Sequence, residues 1–178
     1  MTRAFVFPGQ GSQAVGMGQS LFAAFPVARE TLEEADDALG QNLSRLIAEG
    51  PADELTLTEN AQPALMALSM AVLRVLETDG GVDLAGSCAF VAGHSLGEYS
   101  ALAAARSFGL ADTARLLKIR GQAMQKAVPV GEGGMAALLG AELDQAQEIA
   151  DAAAEGEICS PANDNAPGQI VLSGAMAA

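Results

Sequence analysis

The chain has 178 residues, half of them hydrophobic, so it is long and apolar enough to bury a core, and a disordered chain is excluded. Its formal net charge of −13 argues against a nucleic-acid partner, because phosphate backbones attract basic surfaces. The two cysteines lie far apart and the first residues lack a signal-peptide pattern, so we expect a cytoplasmic protein with neither a metal site nor a membrane partner.

The first third of the chain predicts one strand followed by helices. Residues 3–7 form the predicted strand, which Pro8 ends, and a glycine-rich loop follows over residues 9–18. Residues 9–14 match the Gly-x-Gly-x-x-Ala fingerprint of dinucleotide-binding proteins, but that fingerprint needs a second strand about 20 residues further on. Residues 20–49 have a helical pattern instead, interrupted by a proline and a glycine, which disfavours a dinucleotide site.

The centre of the chain carries the most informative motif. A helix is predicted to begin at Pro63, because proline is favoured in the first helical turn. Further on, Gly-His-Ser-Leu-Gly at residues 93–97 lies between an apolar run at 88–92 and an alanine-rich run at 96–105. Strand, Gly-x-Ser-x-Gly and helix are the pattern of a nucleophile elbow, a strained turn that exposes the serine hydroxyl. Ser95 is therefore a candidate nucleophile, and a turn with an idle serine is the alternative.

A nucleophilic serine needs a base and an oxyanion hole. The single histidine of the chain, His94, is adjacent to Ser95, and neighbouring side chains of a sharp turn project in different directions. We therefore interpret His94 as a supporting residue and not as the base. The backbone N–H of Leu96 is expected to form one half of the oxyanion hole, and the N–H of Gln10, which lies between two glycines, the other half.

Arg120 is the third candidate. A helix is predicted from Asp112 to about residue 128, and it places Arg120 on an apolar face. The other members of that face are Leu116, Leu117, Ala123, Met124 and Ala127. A charge in such a place is costly unless it is paired, so Arg120 either forms a buried ion pair with Asp or Glu or holds the carboxylate of a substrate.

The segment around Arg120 is unusually basic. Residues 106–126 contain five basic side chains and one acidic side chain in an otherwise acidic protein. Such a segment predicts a docking surface for an acidic partner or for the phosphates of a ligand such as coenzyme A. A solvated helix face is the alternative.

The pattern changes after residue 129. Residues 131–134, Gly-Glu-Gly-Gly, predict a hinge. The elements predicted after it are a strand at 135–139, a helix at 143–154, strands near 157–159 and at 169–172, and a turn over 163–168 between these strands. We therefore divide the chain into an α/β core at 1–129 and the start of a small subdomain at 130–178.

Six stretches together resemble the malonyl-CoA:acyl carrier protein transacylases of fatty-acid synthesis. They are residues 7–13, 62–65, 93–102, 120–121, 124–125 and 163–169. The likeness runs over essentially the whole chain, and the acyltransferase domains of polyketide synthases share the first and third stretches.

The resemblance implies both a fold and a site. The fold is a hydrolase-like α/β core with a parallel sheet and a nucleophile elbow, joined to a ferredoxin-like subdomain that is partial here. In the site, Ser95 takes the malonyl group as an ester and Arg120 holds its carboxylate. The residues that line the pocket by this resemblance are Gln62, Met124, Asn163 and Asn165. The implied partners are malonyl-CoA and acyl carrier protein, with no cofactor, and we expect a monomer.

Three functions stay open at this point. The family's members are much longer, and the resemblance implies that their catalytic histidine lies beyond Ala178. The chain is therefore a malonyl transferase, a serine esterase or patatin-like hydrolase with the same elbow, or a catalytically silent acyl-binding fragment. The acceptor, thiol or water, separates the first two, and formation of an acyl-Ser95 ester separates both from the third.

Overall fold

The chain folds as two compact units. The computed structural model describes residues 3–129 and 131–178, and the units are Met1–Met124 and Gln125–Ala178. The boundary expected from the sequence falls at Val130, which lies outside the described residues.

The first unit is mixed α/β, with a parallel pair of strands and helices that cross between them. In chain order its elements are β1 (Ala4–Phe7), α1 (Gln19–Ala24), α2 (Pro26–Leu39), α3 (Leu43–Glu49), α4 (Ala52–Thr56), α5 (Thr58–Thr78), α6 (Leu84–Ser87), β2 (Phe90–Gly93), α7 (Leu96–Ala104) and α8, which begins here and spans Leu110–Ala127. The register pairs Ala4 with Phe90 and Phe7 with Gly93. Because parallel strands end at the same edge, the loops after Phe7 and Gly93 lie side by side.

Helix α5 is the centre of the first unit. Twelve of its 21 residues are buried, which is typical of a helix enclosed on most sides. The predicted start at Pro63 is wrong, because the helix begins at Thr58. The carbonyl of Leu57 accepts hydrogen bonds from the amides of Asn60 and Ala61, so a complete turn forms before the proline and its missing N–H removes a single bond.

Helix α8 buries a different face from the predicted one. The buried residues are Leu110, Thr113, Ala114, Leu117 and Gly121. Leu116 and Met124, which the sequence assigned to the apolar face, are 40% and 46% exposed. Arg120 therefore lies at the edge of the buried face, half-buried, where its charged end reaches the neighbouring elements.

A polar cluster holds α8 against the beginning of α5. Lys118 Nζ donates to Gln41 Oε1 and Asn60 Oδ1, each at 2.9 Å, and it lies 3.2 Å from Glu59 Oε2. Gln122 Nε2 donates to the same carboxylate at 3.0 Å. This hydrogen bond from Gln122 and the contact with Lys118 lower the pKa of Glu59, although partial burial works in the opposite direction.

The second unit is a three-stranded antiparallel sheet with one helix. Its elements are β3 (Gly133–Leu139), α9 (Leu143–Ala154), β4 (Cys159–Ala166) and β5 (Gln169–Ala175), in the sheet order β3-β5-β4. The predicted helix at 143–154 is confirmed, and a capping box between Glu142 and Gln145 fixes its start. Its small residues Ala146 and Ala150 pack on Ile170 of the central strand.

The turn predicted over residues 163–168 is shorter in the structure. Strand β4 runs to Ala166, and Pro167 and Gly168 alone connect it to β5. Gly168 has φ 73°, a left-handed conformation that glycine adopts without strain. Asn163 and Asn165 therefore lie on a strand. Within residues 3–129 and 131–178, no helix has the length and apolar character needed to cross a membrane.

Replacing Ser100 should stabilise the protein. Its hydroxyl is fully buried in α7 and has no hydrogen-bond partner among the described residues. An unsatisfied buried hydroxyl is destabilising, so Ser100→Ala should raise the free energy of unfolding by about 1 kcal/mol in urea denaturation. Ser69→Ala is the matched control: that hydroxyl donates to the Leu65 carbonyl, so its loss should lower stability. A decrease in both variants would contradict this account.

The contacts of Glu59 with Gln122 and Lys118 should make the free energy of unfolding depend on pH. Its folded pKa is below the usual 4.5, so its stabilising contribution is complete above pH 4.5 and disappears as pH falls through the folded value. Glu59→Gln should therefore be less stable than wild type at neutral pH, and the difference should shrink in acid. Chemical denaturation across this pH range measures it, and a constant difference would show that the carboxylate charge contributes nothing.

Candidate active site

The turn between β2 and α7 presents Ser95 at a helix start. Ser95 has φ 55° and ψ −113°, a conformation that costs a non-glycine residue about 1–3 kcal/mol. The glycines two residues away on each side are required by close backbone contacts. A Cβ on Gly93 would collide with the Gly97 carbonyl, and a Cβ on Gly97 would lie 2.7 Å from the Pro8 carbonyl oxygen. The strained turn is thus enclosed by backbone, with the serine exposed.

Arg120 reaches this serine from α8. Its Nη2 donates to Ser95 Oγ at 2.9 Å, and its Nη1 donates to Gln62 Oε1 at 2.7 Å. Its guanidinium carbon lies 5.8 Å from the centre of the Tyr99 ring, within the range of a cation–π contact. One cation thus connects three helices: α5 through Gln62, α7 through Tyr99 and the helix start, and α8.

The amide of Gln62 is fixed in one orientation. Gln62 is 1% exposed, and its Nε2 donates to Met124 Sδ at 3.3 Å while its Oε1 accepts from Arg120. The opposite orientation would point the amide N–H groups at the guanidinium, which has donors alone. Met124 therefore contacts the site through its sulfur, although its side chain is 46% exposed.

The loop after β1 lies against the serine turn. A Cβ on Gly9 would lie 2.7 Å from His94 Nδ1, so this glycine allows the loop to approach the imidazole closely. Gln10 follows it, and its side-chain Nε2 is 3.4 Å from Thr58 Oγ1 at the start of α5. Within the described part of the chain, the backbone N–H groups of Gln10 and Leu96 have no hydrogen-bond acceptor. Both are available to a ligand.

The structure brings together most of the predicted site residues. Ser95, Gln62, Met124 and Arg120 form one connected set of contacts. Asn163 and Asn165 lie on β4 of the second unit.

Sequence reasoning missed two residues of the site. One is Tyr99, which lies one helical turn after Ser95. The other is Thr58, one turn before Gln62. The spacing of four residues on a helix face was the available signal in both cases.

Among the described residues, Arg120 does not form the ion pair with Asp or Glu that was one of its two predicted roles. None of the carboxylates within residues 3–129 and 131–178 forms a salt bridge with Arg120. In contrast, three other basic residues of segment 106–126 each have a carboxylate partner. These pairs are Arg106–Glu77, Arg115–Asp112 and Lys118–Glu59. Much of the predicted basic surface is therefore neutralised internally, and Lys118 in particular serves the α5–α8 contact.

The arrangement suits a reaction at the serine oxygen with an anionic group nearby. The oxygen lies at the N-terminal end of α7, where backbone N–H groups and the helix dipole stabilise negative charge. The Arg120 guanidinium can hold a carboxylate in bidentate geometry a short distance from that oxygen.

Comparison with known proteins gives the family. Residues 4–178 match the acyl transferase domain. A curated relative, the malonyl CoA-acyl carrier protein transacylase of Escherichia coli strain K12, is 48% identical over 171 residues, which are 96% of this chain and 54% of the relative.

Solved structures agree with this match. The acyl-carrier-protein S-malonyltransferase of Bartonella henselae is 60% identical, with a TM-score of 0.92 over 98% of this chain and 55% of that chain. A chain from the solved complex of a type II PKS acyl-carrier protein with its malonyl-transacylase also matches. It is 44% identical, with a TM-score of 0.89 over 99% of this chain and 56% of that chain. The chain spans about half the length of the relatives it matches. The resemblance found in the motifs is confirmed, and the chain belongs to the acyl transferase domain family.

Proposed function

We propose that the protein transfers a malonyl group from malonyl-CoA to the phosphopantetheine thiol of an acyl carrier protein, through an ester on Ser95. The observation that carries this proposal is the position of Arg120, whose guanidinium lies 2.9 Å from the serine oxygen and has no carboxylate partner within the described residues. The names of the relatives support the same substrates, since they act on malonyl CoA and acyl carrier protein.

The reaction has two halves. Ser95 Oγ forms a bond to the thioester carbonyl carbon, the carbon–sulfur bond breaks, and the hydroxyl proton ends on the coenzyme A sulfur. The carrier-protein thiol then attacks the ester, the bond from carbon to Ser95 Oγ breaks, and the thiol proton returns to that oxygen. The resemblance does not assign the relay of these protons to His94, to which we assign a supporting role beside Gly9.

The serine turn supplies the stabilisation of the oxyanion. We propose that it is a nucleophile elbow, because a strained serine between two glycines follows a strand and opens a helix. The N–H groups of Leu96 and Gln10, which have no acceptor among the described residues, would donate to the carbonyl oxygen as it becomes negative. Removal of one such donor typically slows a reaction of this kind by about 10²–10³-fold.

The malonyl tail fits the distance to Arg120. In an extended ester, two C–C bonds of about 1.5 Å separate the carbonyl carbon from the carboxylate, which therefore lies roughly 4 Å from Ser95 Oγ. A guanidinium that touches that oxygen can reach the carboxylate by a small movement of its side chain. Gln62 and Met124 would line this part of the pocket, and we propose the same role for Asn163 and Asn165.

The finer fold assignment is also a proposal. The sheet order β3-β5-β4, in which the strands linked by α9 flank an antiparallel partner, is a split β-α-β arrangement. It supports a ferredoxin-like subdomain that follows a hydrolase-like core, with the boundary near residues 129 and 130.

Incubation with malonyl-CoA tests the proposal directly. Intact-mass analysis should find one malonyl group on the protein, peptide mapping should place it on Ser95, and holo acyl carrier protein should remove it as malonyl-thioester. Ser95→Ala should show no adduct, while Ser100→Ala, in the helix that follows Ser95 but facing the core, should behave as wild type.

Other outcomes separate the alternatives. Loss of the adduct to water in the presence of carrier protein would indicate a hydrolase. Persistent absence of an adduct on Ser95 would indicate an acyl-binding protein without chemistry.

A further inference from the structure

We propose that Met124 is an oxidation site, at which a peroxide converts the candidate active site to a slower form. Met124 Sδ accepts a hydrogen bond from Gln62 Nε2 at 3.3 Å, and the residue is 46% exposed. The hydrogen bond joins this sulfur to the site, and the exposure gives a small oxidant access to it. The effect on acylation rests on the proposed function, whereas the modification and its effect on Gln62 do not.

Exposure decides which methionines react with a peroxide, because the oxidant must reach the sulfur. Met66 and Met70 are buried in the core and should stay unchanged. Met135 and Met176 are more than half exposed, and both lie in the second unit. Met124 should therefore react as these two do, and it is bonded to the candidate active site as well.

The reaction is the transfer of one oxygen atom. A lone pair of the sulfur attacks one oxygen of hydrogen peroxide, the O–O bond breaks, and the proton of the attacked oxygen ends on the leaving oxygen. The sulfur is oxidised by two electrons to a sulfoxide, and the peroxide is reduced to water. A thioether sulfur has two lone pairs, so the hydrogen bond from Gln62 leaves the second one for the oxidant.

A sulfoxide at Met124 removes the acceptor that orients Gln62. The oxidised sulfur carries a partial positive charge and no longer accepts the Nε2–H group well, while the new polar oxygen lies on the side from which the oxidant came. Gln62 is 1% exposed, so water has little access to replace the lost acceptor. Because an unsatisfied buried N–H is costly, the amide should turn toward a new partner.

The same amide holds Arg120, so the change reaches Ser95. Gln62 Oε1 accepts from Arg120 Nη1 at 2.7 Å, and Arg120 Nη2 donates to Ser95 Oγ at 2.9 Å. An amide that turns to satisfy Nε2 carries Oε1 with it, because both atoms belong to one planar group. Oxidation of Met124 should therefore slow acylation of Ser95 by malonyl-CoA about fivefold, the scale of one neutral hydrogen bond.

Treatment of the whole chain with hydrogen peroxide tests the proposal with three readouts. Peptide mapping measures the sulfoxide at each methionine, and single-turnover acylation followed by intact mass gives the rate. The side-chain amide resonances of Gln62, identified by their absence from Gln62→Leu, report its hydrogen bonds. Met124 should gain one oxygen as readily as Met135, the Gln62 resonances should shift, and acylation should slow. Methionine sulfoxide reductases for both epimers should restore the resonances and the rate, whereas a thiol alone should not.

Leucine variants are the matched controls. Met124→Leu keeps an apolar side chain of similar size without a sulfur, so peroxide should change neither its Gln62 resonances nor its own acylation rate. Met135→Leu and Met176→Leu each remove an exposed methionine of the second unit, so both should lose rate on treatment as wild type does.

The outcomes separate this proposal from the proposed function. It is overturned if Met124 resists peroxide while Met135 reacts, if its sulfoxide leaves the Gln62 resonances or the acylation rate unchanged, or if Met124→Leu loses rate equally. Untreated protein that fails to acylate Ser95 overturns the proposed function. In that case the peptide map and the Gln62 resonances still decide whether the modification and its effect on Gln62 occur.

Discussion

The hydrogen bond between Arg120 and Ser95 is the interaction on which the site depends. It joins residues 25 positions apart and brings a cation to the exposed oxygen of a strained turn. The bond exists because α8 lies close to α5, and Gly121 makes that approach possible: a Cβ there would collide with the backbone of Glu59. The polar cluster around Lys118 holds the same two helices together through Glu59 and Asn60.

The glycines around Ser95 add a second constraint. The end of β1, the serine turn and the first turn of α7 are in backbone contact, so no side chain fits between them. This contact sets the position of the loop that carries Gln10 relative to the serine turn. The glycines that permit this tight packing lie at the edge where the parallel strands β1 and β2 both end.

Sequence patterns predicted what is local. The serine turn, the helix at 143–154 and the choice of Arg120 followed from residue types and spacing. The patterns failed where distant contacts decide. The first turn of α5, before Pro63, is held by contacts of Lys118 with Glu59 and Asn60, and α8 turns a different face inward because Gly121 packs on α5. Neither the anchoring of Gln62 by Met124, 62 positions away, nor the ring of Tyr99 under the guanidinium has a signature in a single sequence.

The central claim is that Arg120 holds the carboxylate of an acyl group carried by Ser95. A crystal structure of the protein with a malonyl ester on Ser95 tests it most directly. The account predicts a malonyl carboxylate about 2.7–2.9 Å from a guanidinium nitrogen of Arg120, with Gln62 Oε1 still accepting from that guanidinium. An Arg120 side chain turned out of the site, or paired with an aspartate or glutamate of the chain, would contradict it.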